Sequence, residues 1–236
     1  MKRKNLIKRK FQLKETVCTI ISDQITAIDV AIASIIKNRR IIEVYVKNDP
    51  IFLFSLKPVH VENGPEVVKR MAEAAEKANV GPMAAVAGVL ADLAVEEMIK
   101  TGCNVAIVEN GGEISAISDV PIDTALLAGD HVLSGRFGFR LAEFPIGVAT
   151  SSGLYSHALS FGQAEAVTIF AINAGLADAV ATAVGNMING NDHRQVAENG
   201  IKKALGIEGV KGAIVIYRDY ISIGGQIPEI IKIERA

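Results

Sequence analysis

Alternating apolar and polar positions open the chain. Phe11, Leu13, Val17, Thr19 and Ile21 alternate with Gln12, Lys14 and Thr16, a period of two that predicts a first strand. From Asp23 the period lengthens. Ile25, Ile28, Ile32, Ile35 and Ile36 recur at helical spacing, with Asp23 as candidate N-cap and a stop expected between about Val46 and Asp49-Pro50. Pro65, after Asn63-Gly64, opens a second helix with Val67, Val68, Met71, Ala74, Ala75 and Ala78 inward. Asn79-Val-Gly-Pro82 breaks it. A third helix is expected from Met83 to Lys100, ended by Thr101-Gly102. Its first part, Met83 to Ala91, is apolar on every face, which predicts a central buried helix.

In the second half, Cys103 to Val108 reads as a strand, Glu109-Asn-Gly-Gly112 as a turn and Glu113 to Ile117 as the return strand. Strand-like runs follow over 131–142, 146–149 and 165–172, and helices at about 175–189 and 193–205. The stretch from Ala213 to Gly224 reads as a hairpin turning at Arg218-Asp219. Strands and helices mix without strict alternation and two hairpins are expected. The pattern therefore predicts an α+β fold, mixed or antiparallel sheets packed with helices, rather than a doubly wound parallel sheet. Residues 1–10 carry Lys2, Arg3, Lys4, Lys8, Arg9 and Lys10 and read as a basic tail; no linker divides 11–236, which read as one domain or two intimately packed lobes.

Half of the 236 residues are hydrophobic, but only 5% are aromatic and none is Trp. Such a core is built of Ala, Val, Ile and Leu and lets helices approach closely. It also argues against base-stacking surfaces. The net charge of -1 favours neither nucleic acid nor a membrane surface as partner. Cys18 and Cys103 form no disulfide framework and no metal-ligand spacing, and read as reduced, buried thiols. Gln12, Lys14 and Glu15 interrupt any apolar segment after the first charges, so no signal peptide is read and the expected compartment is the cytoplasm.

The candidate chemistry lies later. Between Glu143 and Asp178 the one formal charge is Glu165. The stretch is too rich in Gly, Ser and Thr for a membrane span, with Pro145 and His157 inside it. A neutral run of hydroxyls and glycines suits a backbone-lined anion pocket. Within it Thr150, Ser151, Ser152 and Gly153 follow a short apolar strand, and serve equally as an anion cradle or a polar turn. His157 has Ser156 and Ser160 beside it, but no carboxylate near in sequence, so a serine-hydrolase reading is weak. Asp178 and Thr182 share a helix face at i and i+4. A carboxylate and a hydroxyl suit Mg²⁺, which takes hard oxygen ligands. The spacing alone fits better a first-turn carboxylate and a back-bonded threonine. Asn110, Gly111 and Gly112 are first a turn needing positive φ, and second a bare backbone that a ligand can approach. Gly81 and Met83 flank the Gly-Pro entry of the apolar helix, whose N-terminus suits a phosphate or carboxylate. Neither usual nucleotide fingerprint, GxGxxG after a strand or GxxxxGK[ST], is present.

In order, the segments are Asn79-Val-Gly-Pro-Met-Ala-Ala-Val-Ala-Gly88, Val108-Glu-Asn-Gly-Gly-Glu113, Thr150-Ser-Ser-Gly153, His157-Ala-Leu-Ser-Phe-Gly162 and Ala177-Asp-Ala-Val-Ala-Thr-Ala183. That set resembles an uncharacterised family of archaea and some anaerobic bacteria related to the ApbE-like flavin transferases, from about Phe11 to Pro228. The resemblance implies an ApbE-like fold, FAD and Mg²⁺ as cofactors, and FMN transfer or FAD hydrolysis as the reaction. It assigns Asn110, Gly111 and Gly112 to the nucleotide, Thr150, Ser151 and Gly153 to the site, and Asp178 and Thr182 to the metal. The transferases' His-Ile-x-Asp-Pro-x-Thr-Gly stretch is replaced by Ser156-His-Ala-Leu-Ser-Phe-Gly162, leaving His157 as the acid/base candidate; Glu113 stands where an Asp is usual. The family is also linked with sulfide assimilation and homocysteine formation, which makes a sulfur-metabolism ligand the alternative to a phosphorylated one and a non-catalytic role the alternative to an enzyme. Ala- and Gly-rich helices suit a homo-oligomer.

Overall fold

The structure, a computed structural model, describes residues 6–126, 135–152 and 162–233. The expected first strand is a hairpin. Strand β1 (Ile7–Leu13) pairs antiparallel with β2 (Thr16–Ser22), and Lys14 turns the chain at φ 53°. The two-residue turn shifts the parity: Phe11 pairs with Cys18 and Leu13 with Thr16, so Cys18 and Ile20 take the buried face with Phe11, and Val17, expected on that face, is exposed. The hairpin starts inside the expected basic tail, where Arg9 reaches Asp29.

Helix α1 (Ile25–Asn48) follows. Asp23 is not its cap: Gln24 occupies that position, and the Asp23 carboxylate accepts from the backbone N–H of Asn104 (3.1 Å) and Val105 (3.2 Å). A short helix α2 (Pro50–Phe54), capped by Asp49, was not legible in the sequence. Helix α3 (Glu66–Ala78) ends at Asn79 in the left-handed region. A 3-10 turn (Pro82–Ala85) then leads into α4 (Val86–Ile99). Strands β3 (Val105–Asn110), β4 (Glu113–Ser118), β5 (Ile122–Ala125), β6 (Phe137–Leu141), β7 (Ile146–Ser151) and β8 (Ala166–Ala171) precede α5 (Ala174–Met187) and α6 (His193–Leu205). Strands β9 (Val210–Tyr217), β10 (Tyr220–Gly225) and β11 (Glu229–Lys232) complete the chain. Strands β5 and β11, of four residues each, were not expected: they are too short to show a period.

Every described strand pairing is antiparallel. One sheet runs β1-β2-β3-β4-β7-β8-β9-β10, and a smaller one runs β11-β6-β5. The large sheet buries both faces at its centre. Val105, Ile107, Ile146, Val148 and Phe170 face the small sheet with Phe139 and Leu141. Ala106 and Val108 face α1 and α4; Val167, Ile169 and Val215 face α5 and α6. The charge-poor run from Phe144 therefore has a structural cause: β7 and β8 lie inside the sheet with almost no residue open to solvent. The buried Glu165 accepts from the backbone N–H of Arg218 at 2.8 Å.

The helices meet where the side chains are smallest. A Cβ on Gly88 would lie 2.2 Å from the carbonyl oxygen of Ala174, and one on Gly175 would lie 2.6 Å from Val89 Cγ2. At this crossing each helix caps the other. Asp92 of α4 accepts from the N–H groups of Ala174 (2.9 Å) and Gly175 (2.8 Å) at the start of α5, and Ser115 donates to it at 2.6 Å. Asp178 of α5 accepts from the N–H of Gly88 in the first turn of α4 at 3.0 Å. Gly88→Ala is expected to destabilise the fold by about 1–3 kcal/mol, because backbone rather than a flexible side chain blocks the added carbon. Asp92→Ala is expected to cost about 1–3 kcal/mol through its unsatisfied donors. Urea unfolding of both variants against wild type measures each.

Candidate functional site

Side-chain alternation along the strands decides which residues reach the helices. On β3 and β4 the helix-facing set includes Ala106, Val108, Asn110 and Ser115, so Glu113, two residues before Ser115, shares that face. Asn110 is 4% exposed, and both ends of its side chain are engaged. Its Nδ2 donates to the Ala87 carbonyl of α4 at 3.0 Å, and its Oδ1 accepts from the Cys18 thiol at 3.4 Å. Burial and the nearby Glu109 push that thiol up to about 12, so Cys18 is a neutral donor and no nucleophile. Gly111 and Gly112 carry φ of 70° and 118°, values that exclude most side chains and make the tight turn. Their N–H groups donate to Val17 O and Glu109 Oε1, each at 3.0 Å. The Asn110–Gly112 turn thus ties β3 to the first turn of α4.

Asp178 and Thr182 stand on successive turns of α5 and are both partly buried. Burial pushes the Asp178 carboxyl up to about 7; the N–H groups of Gly88 and Ala87 pull the other way, and Asp92 adds to the rise. The Glu113 carboxyl is raised well above its ordinary value, first by burial, then by Asp178, with Glu109 contributing. Thr182 lines a cavity of about 370 Å³ with Gly81, Met83, Phe54, Leu56 and Asn186. Gly81 is there for space: a Cβ would fall 1.8 Å from the Ser55 carbonyl oxygen. Phe54 and Leu56 are 76% and 61% exposed and form an apolar rim.

The three hydroxyls after β7 separate. Thr150 points away from the helices and shares a hydrogen bond with Thr168 at 3.0 Å. Ser151 points toward α5, its Oγ 3.3 Å from where a Cβ on Gly185 would stand. Ser152 is buried at the strand end. Gly153 and His157 lie outside the described residues. The structure therefore gathers Asp178, Asn110, Thr182, Gly81 and Met83 around the start of α4, places Ser151 farther along α5 beside Gly185, and turns Thr150 to the opposite face. Glu113 belongs to the cluster too. Its signal in the sequence was a carboxylate directly after the glycine turn, on the parity of Ser115. Among the described residues no set of three His, Cys, Asp or Glu side chains is arranged to hold a metal, so any cation here draws on hydroxyl, backbone or ligand oxygens as well.

The raised carboxyl fixes a sign for pH dependence. Unfolded Asp178 titrates near its ordinary value of about 3.9. Between that value and about 7 the native state holds the extra proton, so this group's contribution to stability falls as pH rises through that window. In metal-free buffer, Asp178→Asn is expected to gain on wild type between pH 4.5 and pH 8, which denaturation midpoints at the two pH values will show.

A family model described as AbpE bacteria matches residues 4–204. A UPF0280 protein of Methanosarcina barkeri is 41% identical over 228 residues, covering 96% of this chain and 89% of its own length. One of Methanocaldococcus jannaschii is 39% identical over 233 residues, covering 97% and 94%. Among solved structures, the apo flavinyl transferase ApbE of Pseudomonas stutzeri superposes with a TM-score of 0.60 at 13% identity, covering 94% of each chain. The ApbE protein of Thermotoga maritima gives 0.58 at 14% identity, covering 94% and 97%. At such identities the likeness is one of fold. No single helix among the described residues is long and apolar enough to cross a membrane.

Proposed function

This chain belongs to the AbpE bacteria family, among the UPF0280 proteins, and we propose that it is a Mg²⁺-dependent protein that binds and processes a flavin nucleotide, FAD first among candidates. The observation that carries the reading is the meeting of Thr182, Gly81 and Met83 on one cavity, with Asp178 one turn away at the start of α4. The donor chemistry fits the ion. Asp178 and Thr182 offer hard oxygens, and among the described residues neither Asp178 nor Glu113 is paired with a lysine or arginine. A bound divalent ion supplies charge neutralisation and Lewis acidity at a pyrophosphate.

The chain's own groups do the remaining work. Asp178 is oriented by the Gly88 N–H, so its carboxylate is pre-positioned. The Gly111-Gly112 turn leaves backbone open to a ligand at the hairpin tip. Phe54 and Leu56 offer an apolar wall for a flat ring, and the Ser151 hydroxyl beside Gly185 of α5, with Ser152 next to it in the chain, is the candidate anion contact. His157 is the proposed acid/base, following Ser152 along the chain.

A second reading keeps the pocket without turnover: a binding protein supporting sulfide assimilation. The replacement of the transferases' Asp-Pro stretch by Ser156-His-Ala-Leu-Ser-Phe-Gly162 favours it. Titration of the purified protein with FAD, with and without Mg²⁺, and assay of the same samples for FMN and AMP decides between them. Metal-dependent binding is expected, with Thr182→Val weakening it about tenfold, or about 1.4 kcal/mol. Binding indifferent to Mg²⁺ removes the metal assignment, and release of FMN and AMP excludes the second reading.

A further inference from the structure

We propose that Glu113 is a second protein carboxylate at the divalent-cation position of Asp178, so that the ion is held from strand β4 as well as from helix α5. The inference rests on the reading of Asp178 and Thr182 as the metal pair.

The placement follows from how β4 lies on α4. Ser115 donates to Asp92 at 2.6 Å, which fixes the strand against the helix at that point. Two residues back along β4, about 6.6 Å, stands Glu113 on the same face. Four residues back along α4, about 6 Å, stands Gly88. The two retreats match in length, so Glu113 faces the level of Gly88, whose N–H Asp178 holds at 3.0 Å. The neighbouring strand gives the same register: Asn110, the pairing partner of Glu113, reaches the carbonyl of Ala87. Strand and helix thus each bring one carboxylate to the first turn of α4.

The charges there need an explanation. The described groups acting on Glu113 are Asp178, Glu109 and its own backbone N–H; those acting on Asp178 are the N–H groups of Gly88 and Ala87 and the Asp92 carboxylate. No described lysine or arginine pairs with either. Two neighbouring, partly buried carboxyls without a basic partner are an unfavourable pair by themselves. A divalent ion reverses the sign of that interaction. Mg²⁺ sites take one or two carboxylates with other oxygens, which two carboxyls and the Thr182 hydroxyl supply.

The test uses Mn²⁺ alone, with no nucleotide, on the full chain. Free Mn²⁺ is counted by electron paramagnetic resonance for wild type, Glu113→Gln, Asp178→Asn and Thr182→Val, and melting temperatures are taken with and without the ion. The expected result is a Mn²⁺ dissociation constant raised at least about tenfold by Glu113→Gln, or about 1.4 kcal/mol. The metal-free melting temperature should hold or rise in that variant, because one of two repelling carboxyls is gone. Such a rise also shows that the variant is folded. If Glu113→Gln binds Mn²⁺ within twofold of wild type while Asp178→Asn loses it, the proposal is overturned and the functional reading stands. If Asp178→Asn and Thr182→Val both bind like wild type, the metal pair itself falls, and this inference with it.

Discussion

The crossing of α4 and α5 is the constraint on which the rest of the molecule depends. Two helices come close enough that Gly88 and Gly175 tolerate no side chain, and at that distance each places an aspartate at the other's N-terminus. Each cap satisfies N–H groups that the helix itself leaves without a partner. Reciprocity fixes the shift and the rotation of the pair together: sliding either helix by one residue would break both caps and drive a Cβ into backbone. The sheet is drawn into the same arrangement. Ser115 of β4 bonds Asp92, and Gly147 of β7 has no room for a side chain beneath Asn173 and Ala174.

The same geometry creates the candidate site. The first turn of α4 receives Asp178 from α5 and Asn110 from β3, and the 3-10 turn before it brings Gly81 and Met83 to the cavity that Thr182 lines. Asp178 therefore serves two ends. As a cap it is a structural group held by backbone; as a carboxyl raised to about 7 beside Glu113, it is placed where its ionised form is disfavoured without a cation. Function-bearing groups are commonly held at such a cost in stability. The Gly88 N–H fixes the orientation of the Asp178 carboxyl.

The fold was largely legible because its strongest elements carry clean periods. The all-apolar Met83–Ala91 run became a 3-10 turn to Ala85 and then the start of the central helix at Val86, and Asn-Gly-Gly became the β3–β4 turn with both glycines at positive φ. The class, helices on antiparallel sheets, followed from hairpins that strictly alternating elements would not give. What escaped was short or displaced. Strands β5 and β11 and helix α2 have too few residues for a pattern, and Asp23 looked like a helix cap but serves the start of β3. At the site, a sequence run of three hydroxyls reads equally as one anion cradle or a polar turn. Strand alternation divides it, sending Thr150 to Thr168 and Ser151 to α5.

The sequence by itself determined the longer strands and helices, which helix is buried on all sides, and which residues, Asp178 with Thr182 and Asn110 with its glycines, share a face or a turn. Those are consequences of period and backbone preference within a dozen residues. Only the tertiary structure decided that Asp92 and Asp178 exchange helix caps, and that Glu113 faces Asp178 across 65 positions of chain. No local pattern carries that information. The partners are joined by a helix crossing and a strand register, and the low dielectric that shifts their protonation exists only once both are packed.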